Sequence, residues 1–431
     1  MAHIKPIRAW RYNRALSPRI GELTSPLFDV VSESQREALY QQPYNSIHLS
    51  VPRAGEGEVG ELLRRWKHEK VLVQDDLPAV YVYYQHFSGP GGADEFVRKG
   101  FICHIKAYDW PERVILRHEN TMPQSVNDRA ALLTNTLLHV SPTHGLYTDA
   151  DRSLERFMDE AVQNPIYETD DQAGVRDVLA VIHDAEAIRR FVAVLADKTI
   201  ILADGHHRYE ASLAYRRQQT DANPNHTGQE AYNYHLMYLT NTESNDLRIL
   251  PTHRIAQGLP GFEPAAFLEA LQKYFFTQAI EVATDSPGAI AGEKGAYGLV
   301  LKAGAYRMRL KPGLLATIAW KFPPAVKELD LTALHYFVFE QILGIAGREQ
   351  RASPHIRYSR SLAECLEVVR GGQADCAFLT NEVSLEEVKR VSTSGYTMPP
   401  KSTYFYPKVI CGLVFSSIQP DEFEAPSCSG F

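Results

Sequence analysis

Five consecutive residues, Asp204-Gly205-His206-His207-Arg208, bring a carboxylate, a glycine, two imidazoles and a guanidinium into one short run. Arg208 offers a planar fork of donors that suits phosphate oxygens. His206 and His207 exchange protons near neutral pH. Asp204 can hold a histidine tautomer, bind Mg²⁺ or act as a base. Gly205 allows positive φ or a close backbone approach. The competing reading is a plain Asp-Gly turn with surface histidines. Zinc fits less well, because neighbouring helical histidines point about 100° apart and HExxH is missing. If the charge of Arg208 serves a ligand, its loss spares stability.

The flanking residues predict how this run is held. Thr199 to Ala203 is a β-branched strand, and a helix follows from about His207 to Arg217. Such a helix start leaves N–H groups unpaired at its positive end, which is a ready anion site. Upstream, Val175 to Ile182 reads as a buried strand and Asp184 as a helix cap. Ile188, Phe191, Val192 and Leu195 then fall on one helical face. The alternation predicts a mixed α/β fold.

Elsewhere Tyr44 to Val51, Ala79 to Tyr84, Gly100 to Ala107 and Tyr234 to Leu239 read as strands. Pro264 opens a helix running through Phe267, Leu268, Leu271 and Phe275. Tyr297 to Leu301 and Tyr306 to Leu310 form a hairpin, and Asp330 caps a helix reaching Ile342. Ser384 to Glu387 is a capping box. Pro399 to Phe415 is loop followed by strand, and Pro420 to Phe431 reads as a frayed tail. Three domains are expected. They are 1–150, contributing acidic and His-Glu residues, 151–320, carrying the DGHHR turn, and 321–431, with a Lys-Ser-Thr loop.

A second set of residues suits the same chemistry. His118, Glu119 and Thr121 place an imidazole, a carboxylate and a hydroxyl within four positions. Transfer to a hydroxyl needs a base and cations that absorb phosphate charge. Lys401, Ser402, Thr403 and Lys408 surround a Tyr-Phe-Tyr-Pro run, and lysine beside hydroxyls suits phosphate. Asp29 and Glu33 form an early acidic pair. His253 and Arg254 follow a strand and are further candidates for phosphate. His335, on an apolar face, reads as a core or interface histidine. Gly288 to Gly295 fails the GxxxxGK[ST] spacing of a phosphate loop.

The composition narrows the partners. The 431 residues carry 45 basic and 52 acidic side chains, a formal charge of −7. That balance offers no global attraction for nucleic acid. Cys103, Cys365, Cys376, Cys411 and Cys428 lack CxxC spacing, so neither a thiolate cluster nor a disulfide framework is expected. A reducing, cytoplasmic setting fits. The first residues lack the apolar run of a signal peptide, and no apolar stretch is long enough to span a bilayer.

Ala203 to Ala211 resembles the signature of the family known as domain of unknown function 1015 (DUF1015). Four other segments match that family. They are Ile7 to Tyr12, Arg117 to Thr121, Ser141-Pro142 with Leu146-Tyr147, and Met398 to Lys408. The turn is also similar to the DGHTR box of free-serine kinases with a ParB/sulfiredoxin-like fold. Asp204, Gly205, His206 and Arg208 match that box, and His207 replaces its threonine. The resemblance implies a ParB/sulfiredoxin-like phosphate-binding core. It also implies transfer of phosphate between ADP or pyrophosphate and free L-serine, reversible to phosphoserine dephosphorylation. Those enzymes take a glutamate near the chain start as base, for which Glu33 is the candidate. Sulfiredoxins carry a similar GGCHR turn, but His206 stands where their reactive cysteine would be. The expected protein is a transferase of serine metabolism, with Asp204, Glu119, His207 and Glu33 as catalytic candidates. Gly205, His206, Arg208, His118, Thr121, His253, Arg254, Lys401, Ser402 and Thr403 are the binding candidates, and Asp204 would hold Mg²⁺. Its partners would be small molecules, with no nucleic acid and no membrane. The alternatives are a ParB-like nucleotide-binding module and a phosphoesterase acting on another small phosphorylated substrate.

Overall fold

The computed structural model describes residues 1–53, 55–89, 94–171, 174–281 and 283–423. It is a mixed α/β protein made of two compact units. The first contains Met1–Arg117, Thr121–Leu247 and Pro407–Phe431, and the second His118–Asn120 with Arg248–Tyr406.

A nine-stranded sheet forms the first unit. In chain order its strands are β1 (Ile4–Lys5), β2 (Val80–Ser88), β3 (Glu95–Lys106), β4 (Ile115–Leu116) and β5 (Thr143–Tyr147). Then come β6 (Tyr167–Asp170), β7 (Arg176–Ile182), β8 (Ile200–Asp204) and β9 (Tyr234–Asn241). The spatial order is β4-β8-β5-β9-β3-β2-β7-β6, with β1 on β3. Most pairs are antiparallel, but β8 runs parallel to β4 and β9 parallel to β5. Strands from both sides of residue 150 therefore share one sheet.

Alternation along β2 sends Val80, Val82 and Tyr84 to one core and Tyr81 and Tyr83 to the other. Both faces of this sheet are covered, which is why its strands read as nearly continuous apolar runs. Helices α1 (Glu33–Tyr40), α2 (Ile47–Ser50), α3 (Glu56–His68) and α4 (Pro123–Thr136) belong to this unit. Leu63 and Trp66 of α3 and Leu132 of α4 pack into the second core. Helix α5 (Ala185–Leu195) is capped by Asp184, which accepts from the Ala187 N–H at 2.7 Å. Its Phe191 and Leu195 enter the first core together with Tyr209 and Leu213 of α6 (His206–Ala222).

Two segments of this unit differ from expectation. Tyr44 to Val51 contains a helical turn rather than a strand. Asn45 explains it, since its side chain accepts from the Ile47 N–H at 2.8 Å and closes a local turn. Pro420–Phe423 is helical, not frayed. Glu422 accepts from Lys67 at 2.7 Å, and the Phe423 ring stacks on His104 at 4.9 Å. The rest of the expected tail, with Cys428, lies outside the described residues.

Six antiparallel strands form the second unit's sheet. They are β10 (His253–Ala256), β11 (Phe275–Ile280), β12 (Ala296–Leu301), β13 (Gly304–Leu310), β14 (Ile356–Ser359) and β15 (Cys376–Leu379). Their order is β11-β13-β12-β15-β10-β14. Helix α7 (Pro264–Leu271) stops short of Phe275, which instead opens β11 and pairs with Leu310 of β13. The ladder and the buried ring outweigh the helical spacing there. The helix begun at Asp330 widens into a π-helix over His335–Glu340. The capping box at Ser384 forms as expected.

Candidate functional site

In the first unit the run 204–208 sits where β8 ends and α6 begins. Gly205 is the N-cap, with φ at +89°. A Cβ there would lie 2.6 Å from Thr143 Cγ2 and 2.9 Å from Arg208 Nη2. Glycine is required twice over, by backbone conformation and by space. No side chain caps the start of α6, so no capping group offsets the positive end of its dipole.

Asp204 is gripped by two cations. Arg208 Nη2 donates to its Oδ2 at 3.0 Å, and Lys408 Nζ donates to its Oδ1. Burial alone would raise its pKa, but Lys408 and then Arg208 reverse that and hold the carboxyl well below the usual range. Asp204 is thus a permanent anion. Lys408 closes the segment in which lysines and hydroxyls surround the Tyr-Phe-Tyr-Pro run. Its partnership with Asp204, 204 positions away, had no local signal.

Arg208 is 9% exposed. Its Nη1 donates to Ser141 Oγ at 2.9 Å and to the Pro142 carbonyl at 2.6 Å. Protein groups therefore hold most of this fork. The expectation that Arg208 stands free for a ligand, with no part in stability, does not hold. Ser141-Pro142 had been a motif without a role, and here it is the anchor of Arg208.

The two histidines are not equivalent. His206 is buried, and burial drives its pKa down to about 3. It is a neutral imidazole at any ordinary pH. His207 is half-buried, and its Nε2 accepts from the Met122 N–H at 3.0 Å. A neutral ring that accepts there carries its proton on Nδ1. Thr121 precedes Met122 in that same loop. Behind the turn, His235 bridges Thr143 and Ser212 at 3.0 and 2.7 Å, and His144 meets Thr240 at 2.8 Å. Burial keeps both well below their ordinary pKa.

The early acids also lie in this unit. Glu33 opens α1 and is exposed. Asp29 is exposed and acts electrostatically on the Cys411 thiol, which also feels Arg208. Of the pair, Asp29 is the one whose charge reaches the surroundings of Arg208.

The second unit brings together two more segments singled out in the sequence. His118 Nε2 lies 2.8 Å from Thr403 Oγ1, and the Met398 N–H donates to the His118 carbonyl at 2.8 Å. Glu119 is half-buried and acts electrostatically on Tyr358. Arg254 is fully buried. It donates to the Thr252 carbonyl, to the Pro400 carbonyl at 3.0 Å and to the Lys401 carbonyl at 3.3 Å. Its Nε donates to His335 Nε2 at 3.3 Å, and His335 Nδ1 lies 2.8 Å from Gln350 Oε1. Burial lowers the Arg254 pKa to about 10, so it stays charged. Its task is to hold the 399–402 loop. Ser402 Oγ donates within that loop to the Pro399 carbonyl at 2.7 Å. Lys401 is exposed there at φ +52°, a conformation costly for a residue with a Cβ. His253 is buried and accepts from the Thr380 N–H at 3.3 Å, and burial lowers its pKa to about 4.

Among the described residues no group of three His, Cys, Asp or Glu side chains could hold a metal ion. Asp204 fits Mg²⁺ only in the manner of a single carboxylate completed by phosphate oxygens and water. No helix among the described residues is long and apolar enough to cross a membrane.

A family model described as "Protein of unknown function (DUF1015)" matches residues 4–332. A free serine kinase in complex with AMP is similar in structure, with 12% identity and a TM-score of 0.38, covering 75% of this chain and 93% of that one. A conserved hypothetical protein from Pyrococcus furiosus has 11% identity and a TM-score of 0.35, covering 75% and 97%. SbnI with C-terminal truncation from Staphylococcus aureus has 13% identity and a TM-score of 0.36, covering 74% and 87%. No curated protein matches.

Proposed function

The chain belongs to the DUF1015 family, and from that premise we propose that it is a phosphotransferase acting on free L-serine or phosphoserine. One observation carries the phosphate half of this reading. A half-buried, permanently ionised Asp204 sits between Arg208 and Lys408 at the uncapped start of a 17-residue helix. The likeness of the turn to the DGHTR box supplies the serine half.

Phosphoryl transfer spreads charge over oxygens in a loose transition state, so the protein's work is positioning and neutralisation. The first N–H groups of α6 and Lys408 meet those oxygens. Asp204 aims the ammonium of Lys408, and Gly205 lets the backbone come close. His207 donates from Nδ1. Mg²⁺, held by Asp204 and phosphate oxygens, would supply further neutralisation.

Neither Asp204 nor His206 is a good base, since both titrate far below neutral pH. The base belongs among the exposed acids, with Asp29 ahead of Glu33. Glu119, His118 and Lys401 of the second unit enter by substitution. Loss of transfer in Glu119→Gln or Lys401→Ala, with unchanged melting, assigns them a part.

The test is incubation of purified protein with L-serine and pyrophosphate, ADP or ATP, with and without Mg²⁺, followed by detection of phosphoserine. The reverse reaction is read as phosphate release from phosphoserine. No product in either direction with any donor would sink the proposal.

A further inference from the structure

A cavity of about 40 Å³ lies against Arg208 in the first unit. Arg208, Arg129, Ser50, Ser141 and Cys411 contribute to its wall, and Phe28 packs beside Arg129. Arg129 is fixed in place. Its Nη1 donates to the Ser50 carbonyl at 2.7 Å, and its guanidinium carbon lies 4.5 Å from the Phe28 ring centre.

The wall has a chemical imbalance. Two guanidinium groups face the cavity, and no carboxylate is among the residues lining it. Arg208 Nε and Ser50 Oγ are buried with no hydrogen-bond partner. A buried donor without an acceptor is costly, and that cost falls if an anion enters.

Size narrows the anion. A cavity of this volume has room for about three water-sized groups. That suits the three heavy atoms of a carboxylate and falls short of the five of a phosphate. We infer that the cavity takes the carboxylate of a small hydroxy-amino-acid acceptor, with Arg208 Nε, Arg129 and Ser50 Oγ as donors. This rests on the phosphotransfer reading above. Arg208 then spans both halves of the site, with Nη2 at Asp204 and Nε at the acceptor.

Calorimetric titration with O-phosphoserine and with O-phosphoethanolamine, which lacks only the carboxylate, separates the two ideas. Phosphoserine should bind about tenfold tighter, as expected for a charge-assisted contact. Arg129→Gln should erase that preference while leaving the phosphoethanolamine affinity in place. Ser50→Ala, which removes a single hydroxyl, should reduce the preference without perturbing the fold. Equal affinity for the two compounds in the unaltered protein overturns the inference and leaves the phosphate reading standing. So does a preference that survives both substitutions. If neither compound binds, the phosphate reading fails, and L-serine against serinamide decides the cavity. Binding of L-serine alone, lost in Arg129→Gln, upholds it. Absence of L-serine binding means that the cavity holds only water.

Discussion

Asp204, Lys408 and Arg208 form a charge cluster whose energetics give two predictions. Arg208→Ala removes a buried cation and strands Ser141, the Pro142 carbonyl and part of Asp204. The protein should lose about 3–5 kcal/mol in denaturant unfolding, the usual cost of breaking a buried pair. Lys408→Met leaves Asp204 to Arg208 alone. Because the folded pKa of Asp204 is depressed, its contribution is complete above the unfolded carboxyl value. It is lost as pH falls through the folded value. The variant should therefore be weaker than the parent by about 3 kcal/mol near pH 7, and the gap should narrow in acid. Unfolding curves at pH 7 and at pH 3 check this. An equal gap at both would mean that Lys408 stabilises by packing rather than charge.

The element that carries the candidate site is the β8–α6 junction, and its tolerance to change is small. Gly205→Ala forces a left-handed conformation on a residue with a Cβ and drives that atom against Thr143. A cost of at least about 2 kcal/mol is expected, with phosphate binding lost beyond what the melting temperature explains. In the second unit the loop at Lys401 behaves the other way. Lys401→Gly relieves a positive φ worth about 1 kcal/mol, so stability should hold or rise. A fall in activity in that variant would isolate the ammonium from the backbone that carries it. The capping residues Asp184 and Ser384 were legible from the sequence, because a cap is a matter of three neighbouring positions. The turn at 47–50 and the end of α7 before Phe275 were not. A short apolar run takes its form from the tertiary surface it meets.

Across the whole molecule, buried neutral histidines set the response to acid. His104, His139, His144, His206 and His235 in the first unit, and His253 and His335 in the second, all have pKa values lowered, chiefly by burial. For His139 the value falls to about 4 and for His335 to about 3. The unfolded chain binds protons at these sites from about pH 6.5 downward, whereas the folded chain does not. Stability should therefore drop as pH falls below about 6.5, with a melting temperature that declines steeply between pH 6 and 4. A flat profile over that range would mean that the imidazoles are more exposed in solution. The return of Pro407–Phe431 to the first unit gives a companion prediction. A chain ended at Tyr406 loses Lys408 together with the buried Leu413, Val414 and Phe415, and it should fail to fold cooperatively.

By itself the sequence determined the mixed α/β character, the strand-turn-helix around Asp204, the helix face of Ile188 to Leu195 and the segments that would matter. Each follows from periodicity or from groups within a few residues of one another. Only the tertiary structure decided how those segments are used. It paired Lys408 with Asp204 across 204 positions, turned Arg208 inward to Ser141 and Pro142, and made Arg254 a clamp for the Lys401 loop. Such choices depend on which buried charges find partners, and burial is a property of the whole fold. The DGHHR turn thus marked the candidate site, and the surrounding fold tied Arg208 and Asp204 to partners that hold its shape.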